Sequence, residues 1–306
     1  MARTRAKGRP IHGWLCLDKR EGMTSTEAVA RVRRITRARK VGHGGTLDPL
    51  ATGVLPIALG EATKTVAYVM EGEKHYRFTA RLGEARTTDD AEGEVLATSE
   101  RRPETEEIVA ALPEFVGTIE QVPPRFAAVK IEGERAYDLA RRGEAVELAS
   151  RPVEVRRFEL IERPDADHAI FEVVCGRGTY VRALVRDLGE KLGCFAHVVA
   201  LRRLRVGPFD VESAITLPVL ERLVADDALP QALLPVGTPL GSLPAVPLTE
   251  PQAQRLRAGQ TIRVAPGLVT GEPVDDGTVR AMNAGRVVAL ARLCGAELSP
   301  VRVFNL

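Results

Sequence analysis

Cysteine is scarce and scattered in this chain of 306 residues: Cys16, Cys175, Cys194 and Cys294 form no CxxC pair. That spacing argues against a zinc knuckle or a disulfide frame and for reduced thiols in a cytoplasm. No apolar run approaches the ~18 residues that a spanning helix needs, which excludes a membrane protein. The apolar stretch after the basic N-terminus stops at Asp18, too soon for a signal peptide. The histidines His12, His43, His75, His168 and His197 show no metal-ligand spacing. Asp89, Asp90, Glu92 and Glu94 are acidic enough to hold a metal, but such loops are more often solvated. Gly60-Glu61-Ala62-Thr63-Lys64-Thr65 lacks the glycine before the lysine that a phosphate loop requires. The glycines of 42–45 follow a helix instead of a strand, so a dinucleotide fingerprint fails on context. No nucleophile elbow is present either. The expected chemistry uses neither cofactor nor metal.

The length leaves room for about two domains, each able to bury a core. The net charge is only +2, from 43 basic and 41 acidic residues, but it is segregated. Residues 1–40 carry twelve Lys or Arg against three acids, residues 71–120 thirteen acids against six bases, and residues 177–205 seven bases against two acids. A polyanion met by one face would suit this pattern, and so would ordinary solvated faces.

A helix is expected from about Thr24 to Lys40, with capping-box spacing between Thr24 and Glu27 and an apolar stripe of Ala28, Val32 and Ile35. Arg31, Arg33, Arg34, Arg37, Arg39 and Lys40 crowd it beyond what the helix dipole rewards. A strand is expected from Tyr76 to Leu82, a short helix from Glu104 to Leu112, and a strand from Ala169 to Cys175. A second helix from Tyr180 to Leu192 places Val181, Leu184, Val185, Leu188 and Leu192 towards a core. Without a regular βαβ rhythm, the fold class is α+β. Five prolines between Pro230 and Pro247 suggest a linker. Residues 245–306 then read as a small β-rich domain with a hairpin turn at Asn283-Ala284-Gly285, leaving 1–244 as the larger domain.

The turn-rich loop of residues 42–53 draws the eye to Asp48, a carboxylate between Leu47 and Pro49 that cannot easily retreat into solvent. A turn-capping aspartate is the plain structural alternative. Aromatic residues make up only 4 % of the chain, yet Tyr76 begins a strand and Tyr180 a helix. An isolated tyrosine is more often core than site. Arg182 lies on the first turn of its helix, off the apolar stripe, where it would serve as a charge partner.

The segment Gly42-His43-Gly44-Gly45-Thr46-Leu47-Asp48-Pro49-Leu50-Ala51-Thr52-Gly53-Val54-Leu55-Pro56 resembles the signature of the TruB family of bacterial tRNA pseudouridine synthases. Gly178-Thr179-Tyr180-Val181-Arg182, Asp187-Leu188-Gly189 and Leu201-Arg202-Arg203-Leu204-Arg205-Val206-Gly207 agree with further blocks of that family, in the same order. The likeness runs from Gly13 to about Pro208, and the tail resembles the family's C-terminal PUA domain. It implies a pseudouridine synthase fold, with a mixed, mainly antiparallel sheet flanked by helices and a small β-rich PUA-like domain. It implies isomerisation of a uridine at position 55 in the T loop of tRNA, without a cofactor and without an obligate protein partner, by a cytoplasmic monomer. By the same resemblance Asp48 is the catalytic aspartate, acting by attack on C1′, addition to C6 or removal of the 2′ proton. Arg182 is its ion-pair partner, with Asp90 behind it as the residue that positions Arg182. Tyr76 stacks on the extruded base and is a candidate base for the C5 proton. Tyr180 and Leu201 confine the base, and His43 contacts the T loop. Residues 124–152, with Arg125, Lys130, Arg135, Arg141 and Arg142, match a thumb-like insertion over the RNA.

Arg20, Gly44, Thr87 and Arg125-Phe126-Ala127-Ala128 depart from the family's usual residues without removing a catalytic position. Three rivals stand beside this expectation: a guide-RNA-dependent pseudouridine synthase, a non-catalytic RNA chaperone, and a base-specific glycosidase.

Overall fold

The computed structural model describes residues 8–126, 130–131, 134–135, 148–265, 267–271 and 277–306. Strands β1 (Gly13–Lys19), β2 (Val41–His43), β3 (Thr52–Leu59) and β4 (Lys74–Leu82) come first, followed by a hairpin of β5 (Glu84–Arg86) and β6 (Val95–Thr98). After them run β7 (Gly117–Gln121), the two-residue β8 (Lys130–Ile131) and β9 (Glu134–Arg135), β10 (Arg151–Glu162), β11 (His168–Cys175), β12 (Ala196–Val206) and β13 (Phe209–Asp210). Nine of these form one sheet in the order β1-β3-β12-β4-β11-β10-β7, with β2 beside β3 and β13 beside β12. Only the β12–β3 contact is parallel, so the sheet is mixed and mainly antiparallel.

Alternation explains the central strands. Phe78, Ala80 and Leu82 of β4 turn to one face and are buried, and Phe78 stacks on Phe171 of β11 at 5.5 Å between ring centroids. The helix Val181–Lys191 lays Val181, Leu184, Val185 and Leu188 into the same core, as its spacing requires. The opposite face buries Trp14 against Phe209.

The first helix begins as expected, with Thr24 and Glu27 closing a capping box, but it ends at Thr36 and not near Lys40. The Thr36 hydroxyl donates back to the Val32 carbonyl at 2.8 Å, and Arg37 takes a left-handed conformation at φ 56°. Together they stop the helix where the apolar stripe runs out.

The proline-rich stretch is not a free linker. Trp14 and Leu234 exchange two backbone hydrogen bonds of 2.8 Å, and Val236 and Leu240 are buried. Proline removes donors, but Leu234 between Pro230 and Pro235 keeps both backbone groups, and these pair with the edge of β1.

Beyond it β14 (Ala245–Pro247), β15 (Ile262–Arg263), β16 (Thr278–Asn283), β17 (Arg286–Cys294) and β18 (Glu297–Val303) form a second sheet, ordered β14-β16-β17-β18-β15. Its core includes Val246, Leu256, Ala281, Val288 and Leu298. The hairpin expected near residue 284 joins β16 to β17, with positive φ at Ala284 and Gly285, as a twisted two-residue turn demands. Val287 and Leu290 of this sheet, with Phe304 just past β18, pack onto the core around Trp14. Most of the expected insertion at 124–152, including Arg141 and Arg142, lies outside the described residues.

Candidate active site

Between β2 and β3 the loop that carries Asp48 is held from three sides by side chains that grip its backbone. Ser25, at the start of the first helix, accepts from the Leu47 N–H at 2.8 Å and donates to the Leu47 carbonyl at 3.1 Å. Lys19, 1 % exposed at the end of β1, donates its ammonium to the carbonyls of Arg20, Met23 and Pro49. Arg203, also 1 % exposed, donates from β12 to the carbonyls of Gly45 and Thr46 at 3.2 Å each and of Val54 at 2.7 Å. Gly53 allows this approach: a Cβ there would sit 2.2 Å from the Arg203 carbonyl. A loop whose carbonyls are satisfied by fixed cations has little freedom left.

The Asp48 carboxylate meets Arg182 at 2.9 Å. Arg182 is buried on the first turn of its helix, and its guanidinium is shared: it also reaches Asp90 at 3.3 Å and donates to the carbonyls of Thr88 and Phe126. Asp90 is itself buried and accepts from the Thr88 hydroxyl and the Glu92 N–H. Its loop is sewn to β12 by backbone bonds with Val198. One guanidinium between two carboxylates leaves the group with a net negative charge and Asp48 a third exposed, open to a ligand.

That opening leads into a cavity of about 500 Å³, in the usual range for small-molecule sites. His43, Asp48, Tyr76, Tyr180, Arg182 and Leu201 all line it, and Asp90 stands behind Arg182 outside it. Tyr76 of β4 lies directly opposite Arg203 of β12 in the sheet register. Burial pushes the Tyr76 phenol above its ordinary value, although Arg203 within hydrogen-bonding reach opposes the shift. Burial raises Tyr180 likewise, against the opposing charge of Arg151. Both phenols therefore carry their protons at neutral pH. Burial lowers the Lys19 ammonium to about 8, against the attraction of Asp48. It also lowers Lys74, another wall residue, to about 8.

One helical turn beyond Arg182, Arg186 pairs with Asp89 at 3.2 Å and Asp187 at 2.8 Å and donates to the Val122 carbonyl. The acids singled out for a metal at 89 and 90 are thus each faced by an arginine.

Residues 33–181 match the family model described as TruB family pseudouridylate synthase (N terminal domain). Residues 182–241 match the tRNA pseudouridylate synthase B C-terminal domain. The chain is 55 % identical to tRNA pseudouridine synthase B of Bradyrhizobium diazoefficiens, covering 97 % of this chain and 87 % of that protein. It is 52 % identical to the protein of the same name from Caulobacter vibrioides, over 100 % of both. The chain belongs to the TruB family. Among solved structures, it is similar to a chain of an H/ACA RNP bound to a substrate RNA containing 2′-deoxyuridine, with a TM-score of 0.75 and 26 % identity, covering 100 % of this chain and 92 % of that one. A chain of a Cbf5-Nop10-Gar1 complex gives a TM-score of 0.74 and 28 % identity, over 96 % of this chain and 85 % of that one. The fold is accordingly that of a pseudouridine synthase.

Three residues that build this TruB site were not singled out from the sequence. Ser25 carries no periodic signal, whereas Lys19 shares strand parity with the buried Leu15 and Leu17 of β1. Arg203 carries the same signal: it shares strand parity with the buried Leu201, so β12 had to turn it inward.

Proposed function

We propose that this TruB-family protein isomerises a uridine of the tRNA T loop, at position 55, to pseudouridine, acting as a single chain in the cytoplasm. The N1–C1′ bond breaks, uracil turns within the cavity, C5 bonds to C1′, and the proton leaving C5 is balanced by one gained at N1. The observation that carries the proposal is the Asp48–Arg182 pair, 2.9 Å apart, opening into a cavity lined by Tyr76 and Tyr180. An ionised carboxylate suits each of three routes: attack on C1′, addition to C6, or removal of the 2′ proton. Arg182 holds the oxygen aimed. A base extruded from its stack regains roughly 1–3 kcal/mol by stacking on an aromatic ring, the role given to Tyr76, while Tyr180 and Leu201 keep the detached uracil from leaving. Because the Tyr76 phenol is pushed up, it enters the reaction as a neutral hydroxyl able to pass a proton on, not as a standing phenolate. His43, at the cavity wall, is assigned to the T loop.

The deciding experiment uses a tRNA transcript tritiated at uracil C5. Wild-type protein is expected to release tritium from the T loop with no added RNA or protein. Asp48→Asn is expected to bind the tRNA and release none. Release only with a guide RNA would favour the guide-dependent reading, to which the likeness to RNP chains lends some weight. Free uracil in the filtrate would make it a glycosidase, and an Asp48→Asn variant that keeps its cellular role would make it a chaperone.

A further inference from the structure

Gln121 ends β7 and Arg151 opens β10, and the two are direct partners in the ladder between those strands. Both reach across to the residues just ahead of the helix that carries Arg182. Gln121, fully buried, takes both backbone groups of Tyr180: its Oε1 accepts from the Tyr180 N–H at 2.8 Å and its Nε2 donates to the Tyr180 carbonyl at 3.2 Å. Arg151 donates to the Gly178 carbonyl at 2.8 Å, and its guanidinium carbon lies 5.3 Å from the centroid of the Tyr180 ring. From the other side Arg186 donates to the carbonyl of Val122, directly after Gln121, and Arg182 to that of Phe126, five residues on. Tyr180 is extended, with φ −105° and ψ 118°, and caps the helix without a side-chain bond of its own. A residue joining an extended segment to a helix swings easily unless something outside holds it.

We propose that Gln121 and Arg151 are positioning residues for the isomerisation: as one clamp they fix the backbone and ring of Tyr180, and through it the start of the helix that aims Arg182 at Asp48. The inference rests on the pseudouridine synthase reading above. Arg151 lies within the stretch 124–152 that was expected as an insertion over the RNA. Arg151 instead turns inward, over an aromatic ring and onto a main-chain carbonyl, in a cavity wall. A planar fork that stacks and donates at once is a task lysine cannot take over, whereas a phosphate contact needs only a charge. Misplacement of a reacting group by about 1 Å lowers a rate by about a hundredfold.

The test is single-turnover tritium release from tRNA, with tRNA affinity and thermal melting measured on the same full-length proteins. Gln121→Leu and Arg151→Met are each expected to slow the step roughly tenfold to a hundredfold with affinity kept within about threefold. Arg151→Lys should remain slow. The double variant should be no slower than about threefold below the worse single variant, because both act on one object. In a Tyr180→Leu background Arg151→Met should change the rate less than about twofold. If Gln121→Leu melts early, Gln121→Glu, which keeps the acceptor and loses the donor, is expected to give a smaller loss of the same kind. Weakened affinity with an unchanged rate, rescue by lysine, multiplying effects in the double variant, or a full loss in the Tyr180→Leu background would each overturn the clamp. No release by wild-type protein would overturn the isomerase reading beneath it.

Discussion

Arg182→Met separates what this arginine does for the fold from what it does for the reaction. The substitution keeps an unbranched side chain, two atoms shorter, and removes a buried cation that faces Asp48 at 2.9 Å and Asp90 at 3.3 Å. Asp48 is partly exposed and can be hydrated; Asp90 cannot. Breaking a buried pair by deleting one partner costs about 3–5 kcal/mol. Asp90 keeps the Thr88 hydroxyl and the Glu92 N–H, so the loss belongs at the lower end, about 3 kcal/mol. At roughly 2 °C per kcal/mol for a chain of this size, melting should fall by about 6 °C. Adding Asp90→Asn removes the stranded charge and should return about 1–2 kcal/mol, or 2–4 °C. Turnover should not return with it, because Asp48 still lacks its partner. Loss of such a pre-oriented charge is worth about 2.7 kcal/mol or more in the transition state, a hundredfold in rate. Thermal unfolding and single-turnover tritium release on the wild type, both single variants and the double variant give the full cycle. A double variant that melts no higher than Arg182→Met, or one whose rate recovers together with its stability, would refute this division of roles.

Tyr76→Leu should bind tRNA within a few-fold of wild type while turnover drops by orders of magnitude, read by filter binding beside tritium release; normal turnover would remove Tyr76 from the site. Burial raises Asp89 to about 6 from an ordinary 3.8, against the opposing charges of Arg186 and Arg182. Between those values the folded state holds a proton that the unfolded chain has lost. The stability difference between wild type and Asp89→Asn should therefore be most favourable to wild type below about pH 4 and decline by on the order of 3 kcal/mol by about pH 6. Melting curves of both proteins from pH 4 to 7 measure it, and a flat difference would sink the assignment.

The parts of this molecule that were legible in its sequence are those governed by local repetition. The alternation of β4 and the apolar spacing of the helix Val181–Lys191 announce themselves within ten residues. The Asp48 loop announces itself by glycine and proline density. The end of the first helix was missed because one back-bonding threonine decides it, and the proline-rich stretch was misread because composition does not say which surface a loop will meet. Strand parity could turn Arg203 inward, but what the grips on the Asp48 loop and on Tyr180 would meet was illegible for a plainer reason: each joins a polar side chain to a distant backbone. Ser25 reaches 22 residues to Leu47, Gln121 reaches 59 to Tyr180, and Arg203 reaches 157 to Thr46.

Charge was the feature most easily misjudged. The basic stretch at 177–205 was compatible with a surface for a polyanion or with ordinary solvated faces, yet each of its seven cations has an intramolecular partner. Arg177 meets Glu71, Lys191 meets Glu114, Arg202 meets Asp18, Arg205 bonds the Gly207 carbonyl, and Arg182, Arg186 and Arg203 build the site. In the cluster at 31–40, Arg33 donates to the Arg39 carbonyl and Arg39 to the Gly8 carbonyl, but Arg31, Arg33, Arg34, Arg37, Arg39 and Lys40 are all exposed and none of them meets a carboxylate among the ion pairs of the described residues. A Lys or Arg strengthens RNA binding by releasing counterions from a phosphate, which a cation already paired inside the fold does poorly. The two clusters, alike in composition, therefore differ in what their charges meet. The one near the N-terminus leaves six cations exposed, while from the other Arg182 meets Asp48 and Arg203 holds the carbonyls of its loop.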